Sequence, residues 1–300
     1  MKIDKQNGNV AFSEDSHTYW NVNDNEKYIS VTTLIHKFTQ PFDKDFWSAY
    51  KALEKLIPKD SWAVEKKSLL SSKKFDKSIL DLYDIAEAEF NKTQQEILDE
   101  WDNENRKSCE RGTKIHEEIE HSFYNNPHDI SLQKFGIGGK FECKKDYSEL
   151  DLEYGVYPEY LIYRESNDGI LRIAGQVDLI IKSGNEITIV DHKTNKKIEQ
   201  KSGFNTSTRS NVKMKYPLNN LMDCNFYHYT MQLSTYAWML QKINPNFVIK
   251  DLILNHYDHN GNNTLYHCEY LKSEVEKMLY FYKKQVVLER QREKRKRIEY

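Results

Sequence analysis

The chain has few of the features that mark disulfide-bonded proteins, proteins with cysteine-ligated metal sites, or membrane proteins. Its 4 cysteines are scattered through 300 residues, and no two of them form a C-x-x-C pair. This pattern argues against a structural zinc site and an iron–sulfur cluster, and it favours ordinary reduced thiols. No apolar run approaches the roughly 20 residues of a membrane-spanning helix, and Met1 to Lys5 lack the apolar stretch of a signal peptide. We therefore expect no membrane partner and a cytoplasmic location.

Neither sign of charge predominates in the chain. Lys and Arg number 44 and Asp and Glu number 46, so that the net charge is -2. A chain of this kind is not a general basic coat for nucleic acid, and any such contact must come from local patches. The sequence also lacks a G-x-x-x-x-G-K-[ST] loop, which excludes ATP-driven unwinding by a P-loop motor.

Apolar periodicity divides the chain into four segments. Residues 1–40 alternate like a small β element, and residues 41–125 have the period of helices. Residues 150–272 are rich in strand patterns, and residues 273–300 form a basic helix that Ser273 is expected to cap. We predict one α/β domain over residues 1–300, with a mixed central sheet flanked by helices and an N-terminal helical lobe.

Several boundaries within the β-rich segment can be predicted. A polar loop is expected from Asn195 to Asn225, and an amphipathic helix from Thr230 to Ile243, where Asn244-Pro245 ends it. Phe247–Tyr257 and Thr264–Leu271 have the pattern of a closing hairpin. These elements would follow the β core and pack against it.

The most informative stretch runs from Tyr157 to Lys193. Within it, Ile173–Ile181 and Glu186–Asp191 are typical of two strands joined by a tight turn. Asp191 and Lys193 are two residues apart, so their side chains project to the same face of the second strand. The hairpin brings Asp178 near this pair, although the sequence alone leaves the register open.

Two carboxylates and an ammonium at the end of an apolar hairpin are costly to bury unless something offsets them. A divalent cation on Asp178 and Asp191 would do so, with Lys193 serving the reacting water or phosphate. The alternative is a solvated strand end. The combination of both motifs with Glu159, which follows a proline one strand earlier, favours the metal site.

Two helical segments carry further polar side chains. His116 and Glu120 lie four residues apart, beside the apolar face formed by Ile115 and Ile119. An isolated histidine here is more often a surface residue than a ligand. Gln232 and Tyr236 likewise share one helix face, which by itself indicates a half-buried amphipathic helix.

Taken in order along the chain, these motifs resemble those of RecB-like nucleases in the PD-(D/E)XK superfamily. Ser30–Ile35 also resembles the opening of the phage and mitochondrial genome-maintenance exonucleases within that group. The resemblance covers roughly residues 28 to 260, with firm correspondence at the motifs. The chain departs from the iron–sulfur branch of these nucleases, because Cys224 and Cys268 stand alone.

The resemblance implies a role for each motif residue. Glu159, Asp178, Asp191 and Lys193 would be catalytic. One or two Mg²⁺ or Mn²⁺ ions would be held by His116, Asp178, Asp191 and the backbone carbonyl of His192. The His192 side chain, pointing away from Asp191 and Lys193, would be structural. Gln232 and Tyr236 would position the substrate or brace the site.

The loop after Lys193 offers a further substrate contact. It carries Lys196, Lys197 and Lys201, which would attract phosphates unless the loop is simply solvated. We predict a divalent-metal-dependent deoxyribonuclease, an exonuclease acting on single-stranded DNA or free DNA ends in replication, recombination or repair. It would work in the host cytoplasm if phage-encoded. A structure-specific endonuclease and a non-catalytic nucleic-acid-binding module are the alternatives. The sequence identifies no protein partner.

Overall fold

The computed structural model describes residues 2–144, 152–205 and 209–298. The chain divides into two compact units. The second unit comprises Gln40–Thr113 and Phe204–Asn211, and the first comprises Met1–Thr39, Lys114–Gly203 and Val212–Tyr300.

Four strands open the described part of the chain, five helices follow, and strands then predominate before and between the two last helices. The strands are β1 Lys5–Asn7, β2 Val10–Ser13, β3 Thr18–Asn21, β4 Lys27–Ser30, β5 Ile130–Leu132, β6 Ile137–Phe141, β7 Gly155–Glu165, β8 Arg172–Ser183, β9 Glu186–Lys193, β10 Phe204–Asn205, β11 Ser210–Asn211, β12 Val248–Tyr257 and β13 Asn263–His267. The helices are α1 Val31–His36, α2 Lys44–Leu56, α3 Lys59–Ser72, α4 Ser78–Leu82, α5 Glu87–Asn125, α6 Asn225–Ile243 and α7 Lys272–Ile298.

A mixed sheet forms the centre of the first unit. Its strand order is β1-β2-β3-β4-β8-β9-β12-β13, with β7 also paired to β8. The β4–β8 and β9–β12 pairs are parallel, whereas β7–β8 and β8–β9 are antiparallel. This arrangement confirms the predicted α/β class with a mixed central sheet flanked by helices.

Strand β8 organises the sheet, because it pairs with three other strands. Strand β7 follows it from Arg172 to Lys182 along one edge. Strand β4 pairs with β8 only at Ile173 and Ala174, and β9 pairs with it only from Leu179 onwards. A strand has two edges, so β4 and β9 share the second one. Residues 175–178 therefore lie where neither ladder uses that edge.

The second unit is helical and has an aromatic core. The Asp43 carboxylate accepts a hydrogen bond from the backbone N–H of Phe46 and so begins α2. The rings of Tyr50 and Trp62 meet edge to face with centroids 5.0 Å apart, within the range that favours aromatic pairs. Helix α5 contributes its residues up to Thr113 to this unit and those from Lys114 to the first.

Three predicted boundaries were wrong by a few residues. Helix α6 begins at Asn225, five residues before Thr230, because Asn225 hydrogen-bonds the preceding loop and prolongs the helix into it. Helix α7 begins at Lys272, which places Ser273 inside the first turn and not at the cap. Strand β13 ends at His267, four residues before Leu271, and one more backbone hydrogen bond, from the Cys268 N–H to the Leu252 carbonyl, follows it.

The predicted division of the chain into four segments stays a prediction. The last two residues of the basic C-terminal helix, and the side chain of Arg297 in its basic run, lie outside the described residues. None of the described helices combines the length and apolarity that crossing a bilayer requires.

Candidate active site

The antiparallel β8–β9 ladder sets the position of Asp178. The last paired residues are Leu179 and Val190, so the next backbone N–H on β9 has no ladder partner on β8. The Asp178 carboxylate takes that place, accepting a hydrogen bond from the N–H of His192 at 2.6 Å. A side chain thus replaces a backbone acceptor at the point where the two strands diverge.

Glu159 stands opposite Asp178 on the neighbouring strand. Pro158 pairs with Leu179 and Tyr160 with Val177, which brackets Glu159 and Asp178 as facing positions. Glu159 has a φ of 49°, in the left-handed region that costs a non-glycine residue about 1 kcal/mol or more. The Gln176 amide donates to Glu159 Oε2 at 2.5 Å and holds the carboxylate toward the site.

Helix α5 brings His116 to these carboxylates. Its Nδ1 lies 3.6 Å from Glu159 Oε1 and 3.7 Å from Asp178 Oδ2. Its Nε2 lies 3.1 Å from the backbone carbonyl oxygen of His192. A proton on Nε2 would be donated to that carbonyl, which would leave the Nδ1 lone pair directed at the two acids.

Asp191 and Lys193 form a buried ion pair on β9. Lys193 Nζ lies 2.7 Å from Asp191 Oδ2, and the Asp191 side chain is only 2% exposed. The Lys193 ammonium also lies 4.7 Å from the ring centroid of Tyr229, in the range of a cation–π contact. The predicted shared strand face therefore corresponds to direct contact between the two charges.

Helix α6 braces this pair from the other side. Gln232 Nε2 donates to Asp191 Oδ1 at 3.1 Å and lies 3.4 Å from the Tyr236 hydroxyl. Tyr236 in turn packs on Gly175, where an added Cβ would lie 2.7 Å from Tyr236 Cε1. Glycine at this position lets the helix approach the sheet closely enough for Gln232 to reach Asp191.

Burial and repulsion between neighbouring acids raise the pKa values of Asp178 and Asp191. Burial, opposed by Lys193 and reinforced by Asp178, raises the pKa of Asp191 to about 6. Burial also raises the pKa of Asp178, against the effect of nearby His116. For His116, burial lowers the pKa but Asp178 and Glu159 outweigh it, raising the pKa to about 9. Acids raised in this way gain from a compensating cation.

The cluster fits a divalent cation. One ligand atom from each of His116, Glu159 and Asp178 lies within 4.8 Å of the others. Carboxylate oxygens suit Mg²⁺ and Mn²⁺, and an imidazole shifts the preference toward the softer transition metal. Asp191 lies on the adjacent strand, and the His192 carbonyl has a second lone pair beyond the one that faces His116. This donor set matches the predicted metal.

The basic loop after β9 lies beside a cavity of about 740 Å³ in the first unit. Lys196, Lys197 and Lys201 are exposed and contribute to its wall. The loop is anchored, because Asn225 at the start of α6 accepts from the N–H of Glu199 at 2.7 Å and donates to the carbonyl of Lys197 at 2.8 Å. The three lysines therefore project from a fixed backbone.

The structure brings most of the predicted site residues together and adds two. Contacts join two groups of these residues: His116, Glu159 and Asp178 in one, and Asp191, Lys193, Gln232 and Tyr236 in the other. Asp178 and Asp191 are close enough to interact electrostatically, and the lysines follow along the chain. The His192 side chain is buried and meets Asn255 at 3.1 Å, in keeping with a structural role. Sequence reasoning assigned no role to Gln176 or Tyr229. Tyr229 shares the spacing i, i+3, i+7 with Gln232 and Tyr236, which could have indicated it.

Comparison with known proteins places the chain in a family. A family model described as the PD-(D/E)XK nuclease superfamily matches residues 33–298. The chain belongs to this superfamily. The superfamily is one of nucleases, and nucleases of this superfamily use divalent metals. The RecB-like branch and the likeness to phage and mitochondrial exonucleases stay predictions.

No curated protein matches the chain. Among solved structures, the protein described as "Crystal structure of SSO0001" is similar at 16% identity, with a TM-score of 0.34. The match covers 60% of this chain and 61% of that one, so the chain spans about three fifths of the length of that protein. The family assignment rests on the family model.

Proposed function

We propose that the protein is a divalent-metal-dependent deoxyribonuclease, and that it acts as an exonuclease on single-stranded DNA or free DNA ends. The observation that carries the proposal is the convergence of His116, Glu159 and Asp178 on one point beside the Asp191–Lys193 ion pair. Phosphodiester hydrolysis needs both a site for a cation and a group that handles the attacking water. The three converging residues offer the cation site, and the neighbouring ion pair offers the group for the water.

His116, Asp178, Asp191 and the His192 carbonyl would hold the cation, and Glu159 would complete the carboxylate set. A divalent cation there supplies Lewis-acid stabilisation of the phosphate and makes a nucleophilic water available at neutral pH. Lys193 would orient that water or stabilise the developing negative charge as a compact cation. Gln232 would hold Asp191 in the orientation that leaves its carboxylate facing Lys193.

The anchored lysines support a path for the DNA backbone. Lys196, Lys197 and Lys201 leave the catalytic strand directly after Lys193 and border the adjoining cavity. Each phosphate that they neutralise releases counterions, so binding should weaken steeply with salt. Replacing the three lysines together with glutamine should flatten the salt dependence, and an unchanged slope would remove the loop from the binding path.

The choice of an exonuclease is supported by the resemblance of Ser30–Ile35 to genome-maintenance exonucleases. In the structure, Ser30 accepts a hydrogen bond from the Thr33 N–H at 3.0 Å and so begins α1 immediately after β4. This short helix follows the strand that shares an edge of β8 with β9. A role in DNA replication, recombination or repair follows from the same resemblance.

End-labelled linear single-stranded DNA and the same sequence as a circle test the proposal together. Both substrates are incubated with Mg²⁺, with Mn²⁺ and with EDTA, using the wild-type chain and Asp191→Ala. Loss of the linear strand alone, prevented by EDTA and by Asp191→Ala, is the expected result. Asp15→Ala serves as the control, because Asp15 is an exposed acid on a turn between β2 and β3.

Each other outcome contradicts part of the proposal. Cutting of the circle identifies an endonuclease. Digestion in EDTA removes the metal requirement. Binding without cleavage of single strands, duplexes or RNA identifies a non-catalytic binding module.

A further inference from the structure

Two tyrosine rings are exposed on one surface of the first unit, away from the buried aromatic residues of its core. Tyr216 is 67% exposed and Tyr280 is 63% exposed. Both line a groove of about 600 Å³, together with the partly buried Phe281 and the side chains of Lys277 and Lys284. We call this surface the Tyr216–Tyr280 groove. A single exposed ring is ordinary, but exposed rings that share one groove form a patch, and such patches mark interaction sites.

The backbone that carries both rings is held in place. The N–H next to Tyr216, on Lys215, donates to the Phe38 carbonyl at 2.7 Å, and Leu218 is fully buried two residues later. Tyr280 follows the buried Leu279 on the long helix α7. The Tyr216 ring meets Phe281 edge to face at 5.3 Å, and most of the Tyr216 side chain stays exposed. Because this backbone is already ordered, little conformational entropy of the backbone would be lost when a ligand binds to the rings.

Positive charge surrounds these rings. Lys284 Nζ lies 4.4 Å from the centroid of the Tyr280 ring. Lys215 is exposed on the same segment as Tyr216. Glu274 is engaged by Lys277 at 3.8 Å and by the Asn220 amide at 3.1 Å, and Glu276 is exposed one turn before Tyr280. Among the residues that the structure describes, the lining of the groove itself includes lysines and no acid. The groove is therefore cationic as well as aromatic, which complements a ligand with flat apolar faces and a chain of negative charges.

We propose that the Tyr216–Tyr280 groove binds single-stranded nucleic acid, stacking unpaired bases on the two tyrosine rings while Lys277 and Lys284 neutralise phosphates. A duplex hides its base faces in its own stack and cannot use the rings in this way. The inference deepens the proposed function, on which it rests, by assigning the single strand as the form of DNA that the enzyme engages. It also places a contact outside the cluster of acids.

Binding of fluorescein-labelled oligo(dT) and of a duplex of equal length, measured by anisotropy in EDTA, tests the groove. Tyr216→Ala with Tyr280→Ala should weaken oligo(dT) binding about fivefold or more for each ring that stacks a base, and should leave duplex binding unchanged. Tyr280→Phe keeps the ring and should bind like the wild type. Leu288→Ala is the matched control, because Leu288 is an exposed apolar residue two turns further along α7.

The salt dependence of binding tests Lys277 and Lys284 separately from the tyrosines. Lys277→Gln with Lys284→Gln should reduce the slope of log affinity against log salt by about 0.7 for each phosphate that is no longer neutralised. With 5-iododeoxyuridine in the oligonucleotide, long-wavelength light should crosslink the strand to Tyr216 or Tyr280.

Three results would overturn the groove as a base-stacking site. They are an unchanged oligo(dT) affinity in the double tyrosine variant, an equal loss for the duplex, and crosslinks that map elsewhere. Thermal melting of each variant checks that the exposed substitutions leave the fold intact. Since binding is measured without metal and cleavage is not needed, a chain that fails to cut DNA still gives a clear answer here. Conversely, a double tyrosine variant that cuts single-stranded DNA with the wild-type Michaelis constant supports the active site and rejects the groove.

Discussion

Two kinds of backbone build the candidate active site, and they place side chains in different ways. Strands β8 and β9 carry Asp178, Asp191 and Lys193 at positions set by the ladder and its end. Helices α5 and α6 carry His116 and Gln232, which reach Asp178 and Asp191 at 3.7 Å and 3.1 Å. The strand residues carry the buried charges, and the helix residues contact the acids among them.

This difference predicts unequal sensitivity. Removing a strand residue deletes a charge that reacts or binds the cation, and nothing nearby can replace it. Removing His116 deletes a proposed ligand of the cation. Removing Gln232 leaves all of those charges in place but less well oriented. Outer contacts of this kind typically change metal affinity or activity by about 10–100-fold. Substitutions in the two halves should therefore differ in size and in kind.

The largest effect is expected in the strand half. Asp191→Ala or Lys193→Ala should abolish cleavage, about 10³-fold or more, because the attacking water and the phosphate charge lose their partners. Cleavage of labelled DNA with Mg²⁺ measures the loss, and circular dichroism checks the fold. Wild-type turnover in either variant would overturn the assignment of this ion pair.

The strand half was also the part most accessible from sequence. A period of two places Asp191 and Lys193 on one face whatever the rest of the chain does, and Asp178 falls within the predicted strand Ile173–Ile181. The register stayed open, because ladder pairing between β8 and β9 is settled by burial on both strands. The left-handed backbone at Glu159 carries no signal in a sequence where Pro158 and Tyr160 both suit a strand.

The helix half could be predicted only through the resemblance. His116 and His192 are 76 positions apart, and Gln232 and Asp191 are 41 apart, so no local period connects them. Their contacts arise when the helices pack on the sheet. Tyr229 was missed because an aromatic side chain on an amphipathic helix is usually core, and only the position of Lys193 over its ring distinguishes it.

Metal affinity should depend on pH through one residue of each half, His116 on helix α5 and Asp191 on strand β9. His116 has a pKa of about 9 in the metal-free chain and must lose its proton before Nδ1 can bind a cation. Affinity should therefore fall about tenfold for each pH unit below 9. Below pH 6 the fall should steepen, because Asp191, with its pKa of about 6, is protonated as well.

Calorimetric titration with Mn²⁺ between pH 5.5 and 8.5 measures this dependence. In His116→Gln the affinity should be lower at pH 8.5 and nearly flat down to pH 7, while the steep fall near pH 6 remains. Glu118→Gln is the matched control, an exposed residue two positions along α5. An affinity independent of pH above 7 in the wild type would remove His116 from the metal site.

A smaller loss is expected when the brace on Asp191 is removed. Gln232→Ala takes away the amide that donates to Asp191 Oδ1, and turnover should fall about 10–100-fold with DNA binding nearly unchanged. Lys242→Ala, on the exposed part of α6, should behave like the wild type. Single-turnover cleavage at saturating DNA measures the effect. A loss in DNA affinity alone would instead make Gln232 a substrate contact.

The smallest effect is expected at Tyr229, whose ring lies 4.7 Å from Lys193 Nζ. A cation–π contact at a partly desolvated site contributes about 0.5–2 kcal/mol, so Tyr229→Leu should lower kcat about 2–30-fold. The Michaelis constant for DNA should stay the same, because the ring would hold Lys193 and not the substrate. Tyr229→Phe keeps the ring and should restore turnover. If Tyr229→Phe is as impaired as Tyr229→Leu, Lys193 requires the Tyr229 hydroxyl and not its ring. Helix α6 would then act on Asp191 and Lys193 through hydrogen bonds alone.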